Sequence, residues 1–96
     1  MSNIGFAWES RKAQSNVKKH GITFEEAQTA FLDEYGRLID DPEHSEQEER
    51  FVLLGYSFQA RCLIVSHCYR ESGSVIRIIS ARRATPKEER VYWSLR

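Results

Sequence analysis

No hydrophobic run in this 96-residue chain approaches the roughly 20 residues that a membrane-crossing helix needs. The opening Met1-Ser2-Asn3-Ile4-Gly5 also lacks the basic region and apolar core of a secretory leader, so a cytoplasmic protein with no membrane contact is expected. Cysteine is scarce. Cys62 and Cys68 sit six apart in a strand-like stretch, about 20 Å along it and beyond disulfide reach, and are expected as small buried apolar residues. Metal-ligand spacing is missing too: His20, His44 and His67 are far apart, and neither Cys-x-x-Cys nor His-Glu-x-x-His occurs. The five glycines are isolated, which excludes a glycine-rich phosphate loop, and there is no Gly-x-Ser-x-Gly elbow. An active site in such a chain has to work with arginine, histidine and lysine, without metal or cofactor.

What the chain does hold is enough apolar material, 41% of residues, for one small core, so a single domain over residues 1–96 is expected. Formal charge cancels at 14 bases against 14 acids, but its distribution is uneven. Residues 33–49 hold eight acids against Arg37 alone, whereas residues 77–96 hold six bases against Glu88 and Glu89. This sorting suits a basic surface for phosphates and an acidic one for a basic partner, and equally suits two solvated faces.

Periodicity outlines the elements. A first helix is expected from Ser10 to Gly21, with Ala13 and Val17 four apart on its inner face and glycine closing it. Thr23 and Glu26 have capping-box spacing for a second helix whose Phe24, Ala27 and Phe31 face the core. Period two then takes over: a short strand at Arg37-Leu38-Ile39-Asp40, a polar loop from Asp41 to Glu46 containing Pro42, and strands near residues 50–57, 60–69 and 75–82. Thr85-Pro86-Lys87-Glu88 is a second capping box, opening a short helix through Val91, Tyr92 and Leu95. These elements describe an α+β fold: two N-terminal helices, an antiparallel sheet of about four strands and a short C-terminal helix.

Chemistry concentrates in Val75-Ile76-Arg77-Ile78-Ile79-Ser80-Ala81-Arg82-Arg83-Ala84. A guanidinium inside an apolar strand is costly unless an anion or a dense set of hydrogen-bond partners compensates it, so Arg77 asks for a ligand. If Phe58-Gln59 is a two-residue turn, Arg50 faces His67; if Arg70 to Ser74 is the next loop, His67 faces Arg77. Arg50, His67 and Arg77 then form one row across three strands, with neighbours about 5 Å apart, and a phosphate would relieve the crowded cations. A one-residue slip in either hairpin would send part of the row to the opposite face.

Each candidate has a structural alternative. Arg50 follows Glu46, Glu48 and Glu49 and also suits a surface ion pair. His67 fits proton transfer, with its pKa depressed by cationic neighbours, and equally fits a core histidine bonded to backbone. His20 fits a ligand contact or the helix dipole, and Lys19 fits a phosphate path or solvent. Arg82 and Arg83 leave the strand in opposite directions, so one of them is expected at the site. Tyr92 reads as core, and His44 reads as a loop residue.

The closing strand resembles that of the BrnT toxins, ribonuclease components of bacterial type II toxin-antitoxin pairs with a RelE-like fold. Phe6-Ala7-Trp8-Glu9, Asn16, Lys19-His20-Gly21-Ile22 and Phe24-Glu25-Glu26-Ala27 resemble that family's opening. Asp40-Asp41-Pro42, His44-Ser45, Glu48-Glu49-Arg50-Phe51 and Gly55 follow its pattern in order. Ser10 departs from it, since the family usually carries aspartate there. The resemblance implies a metal-independent endoribonuclease that arrests growth by cutting RNA. Arg50 and Arg77 would bind the scissile phosphate, His67 would handle a proton, and Lys19, His20, Arg82 and Arg83 would guide the strand. It also implies a BrnA-type ribbon-helix-helix antitoxin, with operator DNA bound only through the complex. The acidic segment before Arg50, with Tyr56 and Trp93, offers candidate antitoxin contacts. The rival from a different class is a non-catalytic interaction module whose arginines hold acidic groups of a partner.

Overall fold

Gly21 ends the first helix as its lack of a side chain allows. In the computed structural model, which describes residues 4–41 and 48–94, helix α1 (Ser10–His20) stops where Gly21 takes φ 71° and donates its N–H to the Val17 carbonyl at 2.8 Å. Helix α2 (Phe24–Ala30) starts at Thr23, whose Oγ1 accepts the Glu26 N–H at 3.0 Å. The returning half of that capping box is replaced. Glu26 instead turns its carboxylate to Ser57 Oγ at 2.7 Å and to the Arg61 guanidinium, fastening α2 to the strands beneath it. At the start of α1, Glu9 rather than Ser10 occupies the capping position, with no side-chain cap bond. The inner face of α1 is also corrected: Val17 is 43% exposed, and buried Asn16 takes the inward place beside half-buried Ala13.

Among the described residues the sheet has five strands in the order β1-β5-β4-β3-β2: β1 (Gly5–Ala7), β2 (Arg37–Asp40), β3 (Phe51–Tyr56), β4 (Cys62–Arg70) and β5 (Val75–Arg83). Strands β2 to β5 pair antiparallel, as their short links require, whereas β1 adds to the edge of β5 in parallel. Three residues are too few for alternation to announce a strand, which is why about four were expected. Helix α3 (Pro86–Ser94) follows the Thr85 cap. Pro42, His44, Glu46 and Leu95, which figured in the expected loop, charge cluster and last helix, lie outside the described residues.

Two cores form because β3, β4 and β5 bury both faces. Helices α1 and α2 cover one, where Ile22, Phe24, Ala27, Leu53, Leu63, Val65, Ile76 and Ile78 pack together. Helix α3 covers part of the other, with Tyr92 against Leu54, Cys62 and Ile64. Each large apolar side chain so buried contributes roughly 1.5–3 kcal/mol.

Both hairpin registers differ by one residue from the expected ones. The β3–β4 loop holds three residues, closed by Ser57 N–H to the Arg61 carbonyl at 2.9 Å, with Ala60 left-handed at φ 60°. Phe51, not Arg50, therefore faces His67. In the next hairpin Arg70, not Tyr69, faces Val75, across a loop where Glu71, Ser72 and Gly73 all have positive φ. Higher up, Ser66 faces Ser80 but His67 faces Ile78, so Ile79 is an extra residue, a bulge in β5.

Candidate functional site

Arg77 and Arg82 are five residues apart, an odd spacing that would send them to opposite faces of a regular strand. The bulge at Ile79 cancels that parity. Ile76, Ile78 and Ala81 all enter the two-helix core, while Arg77 opposite Cys68 and Arg82 opposite Ile64 emerge on the α3 face. Carrying the β3–β4 register one residue past Phe51 sets Arg50 opposite Cys68. The two register slips have the same sense, so Arg50 and Arg77 still flank one strand, their backbones about 10 Å apart at two strand spacings. The residue between them is Cys68, not His67.

That is the correction to the expected row. His67 points to the opposite face, is 0% exposed, and packs edge-on against Phe31 with ring centroids 4.8 Å apart and against Tyr69 at 5.3 Å. Its Nδ1 lies 3.0 Å from the Val65 carbonyl, so the neutral ring donates there; Nε2 lies 3.4 Å from Tyr69 Oη. Burial depresses its pKa, with the Val65 contact working the other way. Of the two readings open for His67, this geometry is that of the core histidine.

Register also lays out the rest of the α3 face. Beside the row of Arg50, Cys68 and Arg77 lies a row of Ile39, Val52, Ser66 and Ser80, then a row of Arg37, Leu54, Ile64 and Arg82. Arginines thus bound a floor that is apolar on β2 and β3 and carries hydroxyls on β4 and β5. Helix α3 covers Leu54, Cys62 and Ile64, leaving Ser66, Ser80 and Arg77 half-buried. Arg37 was not singled out from the sequence, where it figured as the first residue of a short strand and the one base in an acidic stretch. Its shared parity with Ile39 would have revealed it once the register was known.

Carboxylates hold two of these arginines. Arg77 Nη2 is 3.9 Å from Glu9 Oε2, a loose pair at the start of α1. Arg82 is gripped by both oxygens of Glu88, at 2.8 and 2.9 Å. Glu88 also accepts the Thr85 N–H at 2.9 Å, while Thr85 Oγ1 accepts the Glu88 N–H at 3.2 Å; this capping box is complete. Arg82 first, then Thr85, push the Glu88 carboxyl down to about 2 against the opposing effect of burial. Further along α3, Tyr92 Oη donates to Asp33 at 2.6 Å, Tyr56 Oη donates to Glu89, and Trp93 Nε1 donates to Tyr56 Oη at 3.2 Å. Trp93 is exposed as expected, but Tyr56 is only half-exposed.

The remaining expected residues sit elsewhere. Lys19 and His20 are exposed on the last turn of α1, and Arg83, opposite Leu63, belongs to the two-helix face. Arg82 and Arg83 do diverge, with Arg82 on the side of Arg50 and Arg77. Among the described residues no three His, Cys, Asp or Glu side chains are grouped as metal ligands. Permanently charged guanidinium forks around a partly apolar floor suit phosphate esters.

A family model described as the ribonuclease toxin BrnT of type II toxin-antitoxin systems matches residues 8–88 of the chain. Among solved structures, the 1.1 Å crystal structure of the Brucella abortus ribonuclease toxin BrnT is similar in fold, with a TM-score of 0.65 at 18% identity over 85% of this chain and 97% of that one. No curated protein matches the chain.

Proposed function

The chain belongs to the BrnT family of ribonuclease toxins from type II toxin-antitoxin systems, and from that membership we propose that it cuts RNA on the α3 face of its sheet, without a metal. The observation that supports this most is the shared face of Arg50, Arg77 and Arg82: Arg50 and Arg77 flank Cys68, and the bulge at Ile79 brings Arg82 to their side while Ile76 and Ile78 stay in the core. Arg50 and Arg77 grip the scissile phosphate. The ribose 2′-hydroxyl gives up its proton to solvent water as its oxygen attacks the adjacent phosphorus, the bond to the 5′-oxygen breaks and that oxygen takes a proton from water, leaving a 2′,3′-cyclic phosphate and a 5′-hydroxyl. Arginine neutralises the charge that builds on the phosphoryl oxygens, commonly the largest catalytic contribution. Among the described residues no histidine reaches that face, so His67 supports the site through packing and does not transfer the proton. Arg83, next to Arg82, and the last turn of α1 with Lys19 and His20 lead the RNA onward around the end of β5.

A toxin of this kind has an antitoxin partner. We propose one of the BrnA type, with a ribbon-helix-helix portion through which alone the complex reaches operator DNA, and a cytoplasmic site of action. No described helix is long and apolar enough to cross a membrane. Arg77→Ala tests the reading. The variant should lose toxicity in growing cells while still co-purifying with its antitoxin; retained toxicity, or lost antitoxin binding with the fold intact, would instead make the arginines a protein-binding device.

A further inference from the structure

Of the arginines on the α3 face, Arg37 differs in its surroundings. It is half-buried on β2, yet among the described residues its side chain has no hydrogen bond or ion pair, whereas Arg77 has Glu9 and Arg82 has Glu88. Its partner across the ladder is Leu54, which lies in the α3-side core, so Arg37 stands on the same face as Arg50 and Arg77. A half-buried cation without a counter-charge is unfavourable, and an anion arriving from solution would relieve it.

Position says which anion. The row of Arg37 and Arg82 is four residues along the strands from the row of Arg50 and Arg77, about 13 Å at ~3.3 Å per residue. Backbones so separated suit two phosphates better than one. Between the rows lie Ile39 and Val52 on one side and Ser66 and Ser80 on the other, an apolar strip beside a hydroxyl strip. A nucleotide crossing that floor can rest its base on the apolar strip and its ribose on the hydroxyls. At the far row the Arg82 fork is already occupied by Glu88, which leaves Arg37 as the available donor.

Building on the RNA-cutting reading, we propose that Arg37 binds a second phosphate of the substrate strand, one nucleotide removed from the scissile one held by Arg50 and Arg77. The ligand is single-stranded RNA with at least two phosphates, and Arg37 acts on binding rather than on the chemical step.

The test compares wild type, Arg37→Ala and Arg37→Lys on two substrates, a ribodinucleotide with one phosphate and a six-nucleotide RNA, at several salt concentrations. Circular dichroism confirms that each variant is folded, and the lysine variant keeps the charge should alanine disturb β2. For the six-nucleotide RNA, Arg37→Ala should raise KM about tenfold with kcat nearly unchanged and lower the slope of log affinity against log salt by about 0.7, one single-strand phosphate contact. Arg37→Lys should recover part of the loss, and cleavage of the dinucleotide should not change. Equal losses in kcat on both substrates would place Arg37 at the scissile phosphate and overturn the proposal. So would an unchanged KM and salt slope while wild type cuts normally, an outcome that leaves the RNA-cutting reading standing. If wild type cuts and binds neither RNA while remaining folded, that reading itself falls, and this inference with it.

Discussion

A neutral imidazole sealed between Phe31, Phe51 and Tyr69 has no route to exchange protons with a ligand on the other side of the sheet. His67→Phe should therefore leave RNA cleavage within a few-fold of wild type, measured by initial rates at pH 7.5. Its effect belongs to stability. Burial holds the folded pKa below the ordinary value of 6.5, so the unfolded chain takes up the proton first, and stability falls as pH drops through about 6.5. Denaturant titrations at pH 5 and 7.5 should show that loss in wild type and not in His67→Phe. A hundredfold fall in cleavage with the fold intact would return His67 to the reaction. Asn16 is the opposite kind of buried polar residue, one whose every bond is structural. Its Nδ2 donates to the Ile22 and Ala81 carbonyls, each at 2.8 Å, and its Oδ1 accepts the Ala81 N–H at 3.0 Å, standing in for a strand neighbour where β1 has ended. Asn16→Ala strands those backbone groups and should cost about 3 kcal/mol by denaturant unfolding; a loss below about 0.5 kcal/mol would contradict the role.

At the scale of elements, α3 is fastened to the sheet by charge and hydroxyl contacts as much as by Tyr92. Glu88 carries the most explicit of them, and its carboxyl is lowered from 4.5 to about 2. A depressed folded pKa means a stabilisation fully present above the unfolded value and lost as pH falls towards the folded one, here from about 4.5 to about 2. Emission from Trp93, read in a Trp8→Phe background, should follow that loosening, and Glu88→Gln should flatten the profile in the same window. An identical profile in the variant would show that another group anchors α3. Which elements exist was legible in the sequence, and so were the corner at Gly21 and the cap at Thr85. How the strands align was not. Ala60 adopts a left-handed turn position without the glycine or asparagine that would mark it, Ile79 bulges without a glycine, and β1 is three residues long. Arg50, Arg77 and Arg82 stood out as arginines beside or within apolar strands. Arg37 did not, because its meaning depends on a register that those unmarked residues set.

For the whole molecule, a net charge of zero conceals a sorting by face. Arg37, Arg50, Arg77 and Arg82 share one side of the sheet, while Lys19, His20 and Arg83 lie on the other side near the end of β5. The acidic stretch is only partly a surface. Asp33 is turned inward, accepting the Tyr56 N–H at 2.9 Å and the Tyr92 hydroxyl at 2.6 Å, so it holds α3 rather than presenting charge to a partner. The central claim is that this arginine face cuts RNA through the substrate's own 2′-hydroxyl. Its most direct test is to incubate the purified chain in EDTA with a defined single-stranded RNA, beside Arg77→Ala, and to identify the product ends. Cleavage should survive chelation, leave 2′,3′-cyclic phosphate and 5′-hydroxyl ends, and fall by about 100-fold or more in the variant, roughly the loss of one transition-state donor. Cleavage abolished by EDTA, 3′-hydroxyl ends, or an Arg77→Ala variant that cuts as well as wild type would contradict it.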